Sequence, residues 1–175
     1  MIERIIGKEA PKFTMIAVLP DKSFGTVSLE ENMNNGKWTV LFFYPLDFAT
    51  ICPSEITALS DRYEEFEKLN AQLIGASTDT VYTHLAWINT KRKDRGLEQL
   101  NFPLASDRNQ LVSRRYGVLI TEEGITLRAL FIISPEGILK YEAVFCDDIG
   151  RDVDETLRVL RALQIGGLTV NCEKQ

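Results

Sequence analysis

Thr39-Val40-Leu41-Phe42-Phe43-Tyr44-Pro45-Leu46-Asp47-Phe48-Ala49-Thr50-Ile51-Cys52-Pro53-Ser54-Glu55-Ile56 changes its pattern twice. Thr39 to Tyr44 is an unbroken β-branched and aromatic run, the pattern of a strand buried on both faces. Pro45 and Asp47 end it, and a loop follows. From Ser54 onward the apolar positions are Ile56, Leu59, Tyr63, Phe66 and Leu69, set against Asp61, Arg62, Glu64, Glu65, Glu67 and Lys68. That is the stripe of an amphipathic helix. Cys52 lies at the seam between strand and helix.

The seam matters chemically. A helix N-terminus presents unpaired backbone N–H groups and the positive end of the macrodipole, which favour a thiolate. Pro53 suits a first helical turn, where no intrahelical donor is lost. This position predicts a Cys52 pKa lowered from about 8.5 towards neutrality. The alternative is a small buried hydrophobe, the usual fate of a free cysteine.

Working outward, 175 residues suffice for one sizeable domain with a core. A formal net charge of -5 argues against a nucleic-acid partner or an anionic membrane surface. Met1 to Glu9 carries charges throughout, which fits neither a signal peptide nor a membrane span, so the expected location is cytoplasmic. Cys52, Cys146 and Cys172 are far apart and form no CxxC pair, and the one histidine is His84. A structural zinc site is not expected, and in a reducing compartment such cysteines are either inert or catalytic.

The region 1–37 reads as short strands and turns, with Pro20 to Gly25 joining a hairpin and Ser28 opening a short helix that Asn34 to Lys37 ends. Ala71 to Ser77 is a second buried strand, parallel to the first across the Cys52 helix. The spacing predicts a helix over Thr80 to Asp94, with Lys91-Arg92-Lys93 as its solvated, dipole-favoured end. A short strand follows near Asn101 to Asp107, then a helix from Asn109 to Tyr116. Thr126–Ile133 and Ile138–Phe145 form a hairpin around Ser134 to Gly137, and Arg151–Gln164 is a closing helix with Val153, Leu157, Leu160 and Leu163 on one face. The expected fold is α/β: a thioredoxin-like mixed central sheet flanked by helices, with an N-terminal β extension, over residues 1–165 and a short tail at 166–175. Cys52 then lies outside the carboxyl end of a central strand, where such sheets bind ligands.

Phe42 to Phe48 followed by Cys52-Pro53-Ser54-Glu55-Ile56 resembles the active-site loop of the peroxiredoxins of the two-cysteine type. The likeness continues through His84-Leu85-Ala86-Trp87, Phe102 to Asp107, Tyr116-Gly117-Val118, Leu127 to Ile133 and Gly150 to Arg158. It covers roughly residues 3 to 168. The resemblance implies a thiol peroxidase that reduces hydrogen peroxide and organic hydroperoxides with no metal, haem or flavin. It makes Cys52 the peroxidatic cysteine and has Pro45 shield its sulfenic acid. Arg128 would stabilise the thiolate, Glu55 would hold Arg128, and Arg151 would support this group from further away. Read alone, Arg128 is an exposed strand residue and Glu55 a helix N-terminal acid.

Two positions depart from the family pattern. Ala49 stands where the family has threonine or serine, with Thr50 beside it. Either Thr50 substitutes through a changed loop, or activity is weakened. The family's resolving cysteine is absent after Gly166-Gly167, and Cys172 is the candidate in its stead, with Cys146 a second candidate or a core residue. The resemblance further implies a homodimer, or a ring of dimers, recycled by a thioredoxin-like or flavoprotein-linked dithiol. Alternatives are a weakened relative acting as redox sensor or holdase, and a Cys52–His84 acyl-transfer pair.

Overall fold

A computed structural model describes residues 4–146 and 148–166. The strands are β1 (Thr14–Val18), β2 (Phe24–Ser28), β3 (Trp38–Phe43), β4 (Ala71–Ser77), β5 (Leu104–Ser106), β6 (Leu119–Ile120), β7 (Ile125–Thr126), β8 (Arg128–Ile133) and β9 (Leu139–Phe145). The helices are α1 (Leu29–Asn34), α2 (Cys52–Asp61), α3 (Tyr63–Lys68), α4 (Val81–Asn89), α5 (Leu111–Arg115) and α6 (Val153–Gln164). Seven strands form one sheet in the order β2-β1-β5-β4-β3-β8-β9, with β6 and β7 a separate small ribbon.

The sheet is mixed, as the sequence predicts. β3 runs parallel to β4 and antiparallel to β8, so it is interior on both edges. Its burial also follows the sequence: Val40 and Phe42 face one core with Cys52, Ile56, Phe66 and Trp87, whereas Leu41 and Phe43 face the other with Phe13, Tyr116 and Phe131. Alternate residues of a strand point to opposite faces, so an unbroken apolar run supplies both cores at once. Fully burying each such side chain is worth about 1.5–3 kcal/mol. The N-terminal extension is the β1–β2 hairpin, which joins the same sheet through antiparallel pairing of β1 with β5.

Several boundaries differ from the periodicity. The helix after Cys52 breaks at Arg62 (φ -109°, ψ 16°), whose guanidinium binds Glu65 and Asp154, so the stripe is shared by α2 and α3. Its apolar residues still pack on one core. α4 stops at Asn89, because Thr90 turns extended (φ -82°, ψ 137°), and Arg92–Asp94 forms a separate 3₁₀ turn. The Lys91 to Lys93 charges therefore lie beyond the helix end, where Arg92 pairs with Asp61 (2.6 Å). Leu127 separates β7 from β8, and α6 begins at Val153, capped by the Asp152 side chain, so Arg151 precedes it. Among the described residues, no helix is long and apolar enough to cross a membrane.

Candidate active site

The β3 strand ends at Phe43, and the chain runs through Pro45 to Ile51 before α2 opens at Cys52 itself. Cys52 is wholly buried, as the first residue of that helix. β8 lies antiparallel to β3 with Phe43 opposite Ala129, so Arg128 comes level with the end of β3 and beside the first turn of α2. Arg128 Nη2 donates to Cys52 Sγ at 3.2 Å and Nη1 donates to Glu55 Oε2 at 3.0 Å. Arg128 is 3% exposed, which excludes an exposed strand residue.

Arg151 is closer to this group than the sequence suggests. Its backbone N–H and Nε both donate to Glu55 Oε1 at 2.6 Å, and Nη2 donates to Oε2 at 2.9 Å. Nη1 donates to the Phe43 and Ala129 carbonyls at 2.6 and 2.7 Å, and the guanidinium lies 4.9 Å from the Phe42 ring centre. One carboxylate thus bridges two guanidinium groups at the junction of β3, β8 and α2. With Cys52 as a thiol, these buried groups carry an excess of one positive charge. A thiolate balances it.

Burial acts against that balance. It pushes the Cys52 thiol up, in opposition to the Arg128 charge and hydrogen bond and to a hydrogen bond from the Leu46 backbone N–H. The net shift is upward, a correction to the expected lowering: a helix N-terminus can be read from sequence, whereas the apolar enclosure of the sulfur cannot. Burial also pushes Glu55 up, but bonds and charge from Arg151, then the charge of Arg128, overcome it and hold the carboxyl below its ordinary range.

The remaining sequence candidates are placed as follows. Pro45 is buried in the loop between β3 and α2. Ala49 is half-buried against the core that contains Cys52, while Thr50 is exposed, with no hydrogen bond to Cys52 or Arg128. Cys146 is exposed just after β9 and so is not a core residue. Cys172 lies outside the described residues. His84 is wholly buried with both ring nitrogens engaged, Nδ1 with Asp47 and Nε2 with the Ala105 carbonyl, which removes it as a base for Cys52. The residues missed from sequence are Tyr44, Asp47 and the Leu46 amide. Their only signal was the Tyr44 to Asp47 spacing within the quoted loop.

The mixed sheet and a buried cysteine at a strand-to-helix junction, facing an arginine, define a thioredoxin-like thiol protein. The AhpC/TSA family model matches residues 6–142. The YkuU protein of Bacillus subtilis (strain 168) is 69% identical over 168 residues, covering 96% of this chain and 93% of its own. The chloroplastic 2-Cys peroxiredoxin BAS1 of Hordeum vulgare is 50% identical over 160 residues, covering 91% of this chain and 75% of its own. The crystal structure of reduced Plasmodium vivax 2-Cys peroxiredoxin superposes with a TM-score of 0.90 at 41% identity, covering 93% of this chain and 83% of that one. The chain belongs to the AhpC/TSA family of peroxiredoxins, and its enzyme class is that of the thiol peroxidases.

Proposed function

We propose that Cys52 is the peroxidatic cysteine of an enzyme that reduces hydrogen peroxide and small organic hydroperoxides. The observation that carries this reading is the Arg128 guanidinium at 3.2 Å from a buried Cys52 sulfur at a helix start. The thiolate attacks the terminal peroxide oxygen, a sulfur–oxygen bond forms, and the O–O bond breaks. The leaving oxygen takes a proton to become water or an alcohol, and Cys52 is left as a sulfenic acid. Arg128 donates to both the thiolate and the charge that develops on the peroxide oxygens, while Glu55, braced by Arg151, fixes its plane. Pro45 walls the pocket and limits access of water to the sulfenic acid.

Recycling follows in two steps. The Cys172 thiolate from a second copy of the chain attacks the sulfenic sulfur, releasing water and leaving a disulfide, which a thioredoxin-like or flavoprotein-linked dithiol then reduces. In this reading the tail at 166–175 serves the 1–165 domain of another copy, the assembly is a homodimer or ring of dimers, and the enzyme works in the cytoplasm without a metal or organic cofactor.

A second reading rests on Ala49. Its methyl group packs on the apolar core to which Cys52 belongs, where the family's threonine or serine hydroxyl would be a further hydrogen-bond donor. Thr50 is exposed beside it. A site short of one donor suits a redox sensor or holdase that reacts once and turns over slowly. Stopped-flow consumption of hydrogen peroxide by the reduced protein separates the two. Fast decay that vanishes in Cys52→Ser supports the peroxidase. Slow decay that quickens sharply in Ala49→Thr supports the sensor.

A further inference from the structure

Two cysteines, Cys52 and Cys146, come to the same end of the sheet. Phe145, the last residue of β9, pairs with Arg128 in β8, and the Arg128 guanidinium lies 3.2 Å from Cys52 Sγ. Cys146 is the next residue, and it is exposed. From there the chain bends back over the start of α2. The Ile149 N–H donates to the Cys146 carbonyl at 3.2 Å, a turn that keeps the two Cα atoms within about 7 Å of each other. Gly150 then packs on Ile51, whose Cγ2 a Cβ on the glycine would meet at 3.7 Å, and the Arg151 N–H donates to Glu55 Oε1 at 2.6 Å. Ile51 and Glu55 lie on either side of Cys52 in the chain. The stretch that begins at Cys146 is therefore laid across the first turn of the helix that carries Cys52.

Burial keeps the two thiols apart in the folded site, since Cys52 is wholly buried and Cys146 is exposed. A disulfide needs Cα atoms about 4.4–6.8 Å apart, and the first turn of α2 is the part built to move. Its N-cap is Ile51, with no side-chain hydrogen bond to the open N–H groups of that turn. The Arg128 bond to the sulfur is strongest for a thiolate, so oxidation of Cys52 to a neutral sulfenic acid loosens the turn further. Unwinding it from about 1.5 to about 3.3 Å per residue frees about 6 Å of reach.

We propose that Cys146 is a second resolving thiol, which closes a disulfide with Cys52 of its own chain. The role rests on Cys52 as the thiol that peroxide oxidises, and it adds to the Cys172 route one that needs no second copy. The Cys146 thiolate attacks the Cys52 sulfenic sulfur and an S–S bond forms as the S–O bond breaks. The hydroxide leaves as water, with the proton that the Cys146 thiol gave up. A dithiol then reopens the bond and is itself oxidised to a disulfide.

Cys172→Ser isolates the pair. After one equivalent of hydrogen peroxide, intact mass, non-reducing electrophoresis and peptide mapping should show a monomer lighter by two hydrogens, its Cys52 and Cys146 peptides linked, at a yield that dilution leaves unchanged. In Cys146→Ser, Cys172→Ser the same treatment leaves Cys52 as a sulfenic acid, and its trapping by dimedone rises severalfold. Cys52 oxidised beside a Cys146 that iodoacetamide still alkylates, or a Cys52–Cys146 link confined to a dimer band, would overturn the proposal. Failure of the peroxidase reading looks different, because peroxide then persists and both thiols stay reduced. Diamide, which oxidises paired thiols without peroxide, decides in that case: a linked monomer upholds the pairing and two free thiols overturn it.

Discussion

Glu55 Oε1 accepts both the backbone N–H and the Nε of Arg151, each at 2.6 Å, while its Oε2 is shared between Arg151 and Arg128. The carboxylate therefore holds one arginine through main chain and side chain together and uses its other oxygen to aim the second at Cys52. Removing it takes away the anion that the two buried guanidinium groups share.

Glu55→Gln is expected to destabilise the fold by about 3–5 kcal/mol, the range for breaking a buried ion pair by removing one partner. Urea unfolding at neutral pH measures it, and a loss under about 1 kcal/mol would rank the cluster with solvent-exposed pairs.

The same carboxylate sets an acid limit. Its pKa in the fold lies below the ordinary 4.5, so its contribution is fully present above 4.5 and is lost as pH falls through the lowered value. Unfolding free energy should decline with acid over that window in the parent protein. The Glu55→Gln profile should be flatter there, and parallel profiles would assign the decline to other carboxylates.

Arg128→Met removes the guanidinium 3.2 Å from Cys52 Sγ and leaves burial to act on the thiol unopposed by that charge. The alkylation midpoint of Cys52 should move further alkaline by at least about one unit. Peroxide reactivity should fall by about 10²–10³, as for a lost oxyanion donor. A midpoint that moves down would mean that the thiolate owes nothing to Arg128.

Gly75 lies in β4 opposite Phe42, and a Cβ there would meet the Phe42 ring at 2.6 Å and Leu104 Cδ1 at 3.0 Å. Both neighbours are fully buried. Gly75→Ala should cost about 1–3 kcal/mol by overpacking, and because Phe42 also packs on Arg151, peroxide reactivity should fall with it. Thermal melting and stopped flow on one preparation test whether the two move together.

Non-reducing electrophoresis after one equivalent of peroxide, on Cys146→Ser and Cys172→Ser, identifies the resolving thiol. The intersubunit disulfide should persist in Cys146→Ser and vanish in Cys172→Ser. The reverse result would assign resolution to Cys146, which is exposed just beyond β9.

The run from Thr39 to Ile56 by itself determined a strand buried on both faces, a helix after it and a cysteine at their junction, because side-chain periodicity records which faces of a segment leave water. The break at Arg62 and the early end of α4 escaped it, since Arg62 and Thr90 leave the helical backbone angles while the apolar spacing runs on, and the pairing of Arg62 with Asp154 and of Arg92 with Asp61 joins residues distant in sequence. The meeting of Glu55 with Arg128 and Arg151, across sequence separations of 73 and 96 residues, was decided only by the antiparallel register of β3 with β8 and by the entry of the chain into α6. Periodicity shows that a residue is buried and carries no information on which charge it is buried against. The same limit explains the thiol: the helix start that favours its charge is local and legible, whereas the desolvation that opposes it comes from a core assembled out of the whole chain.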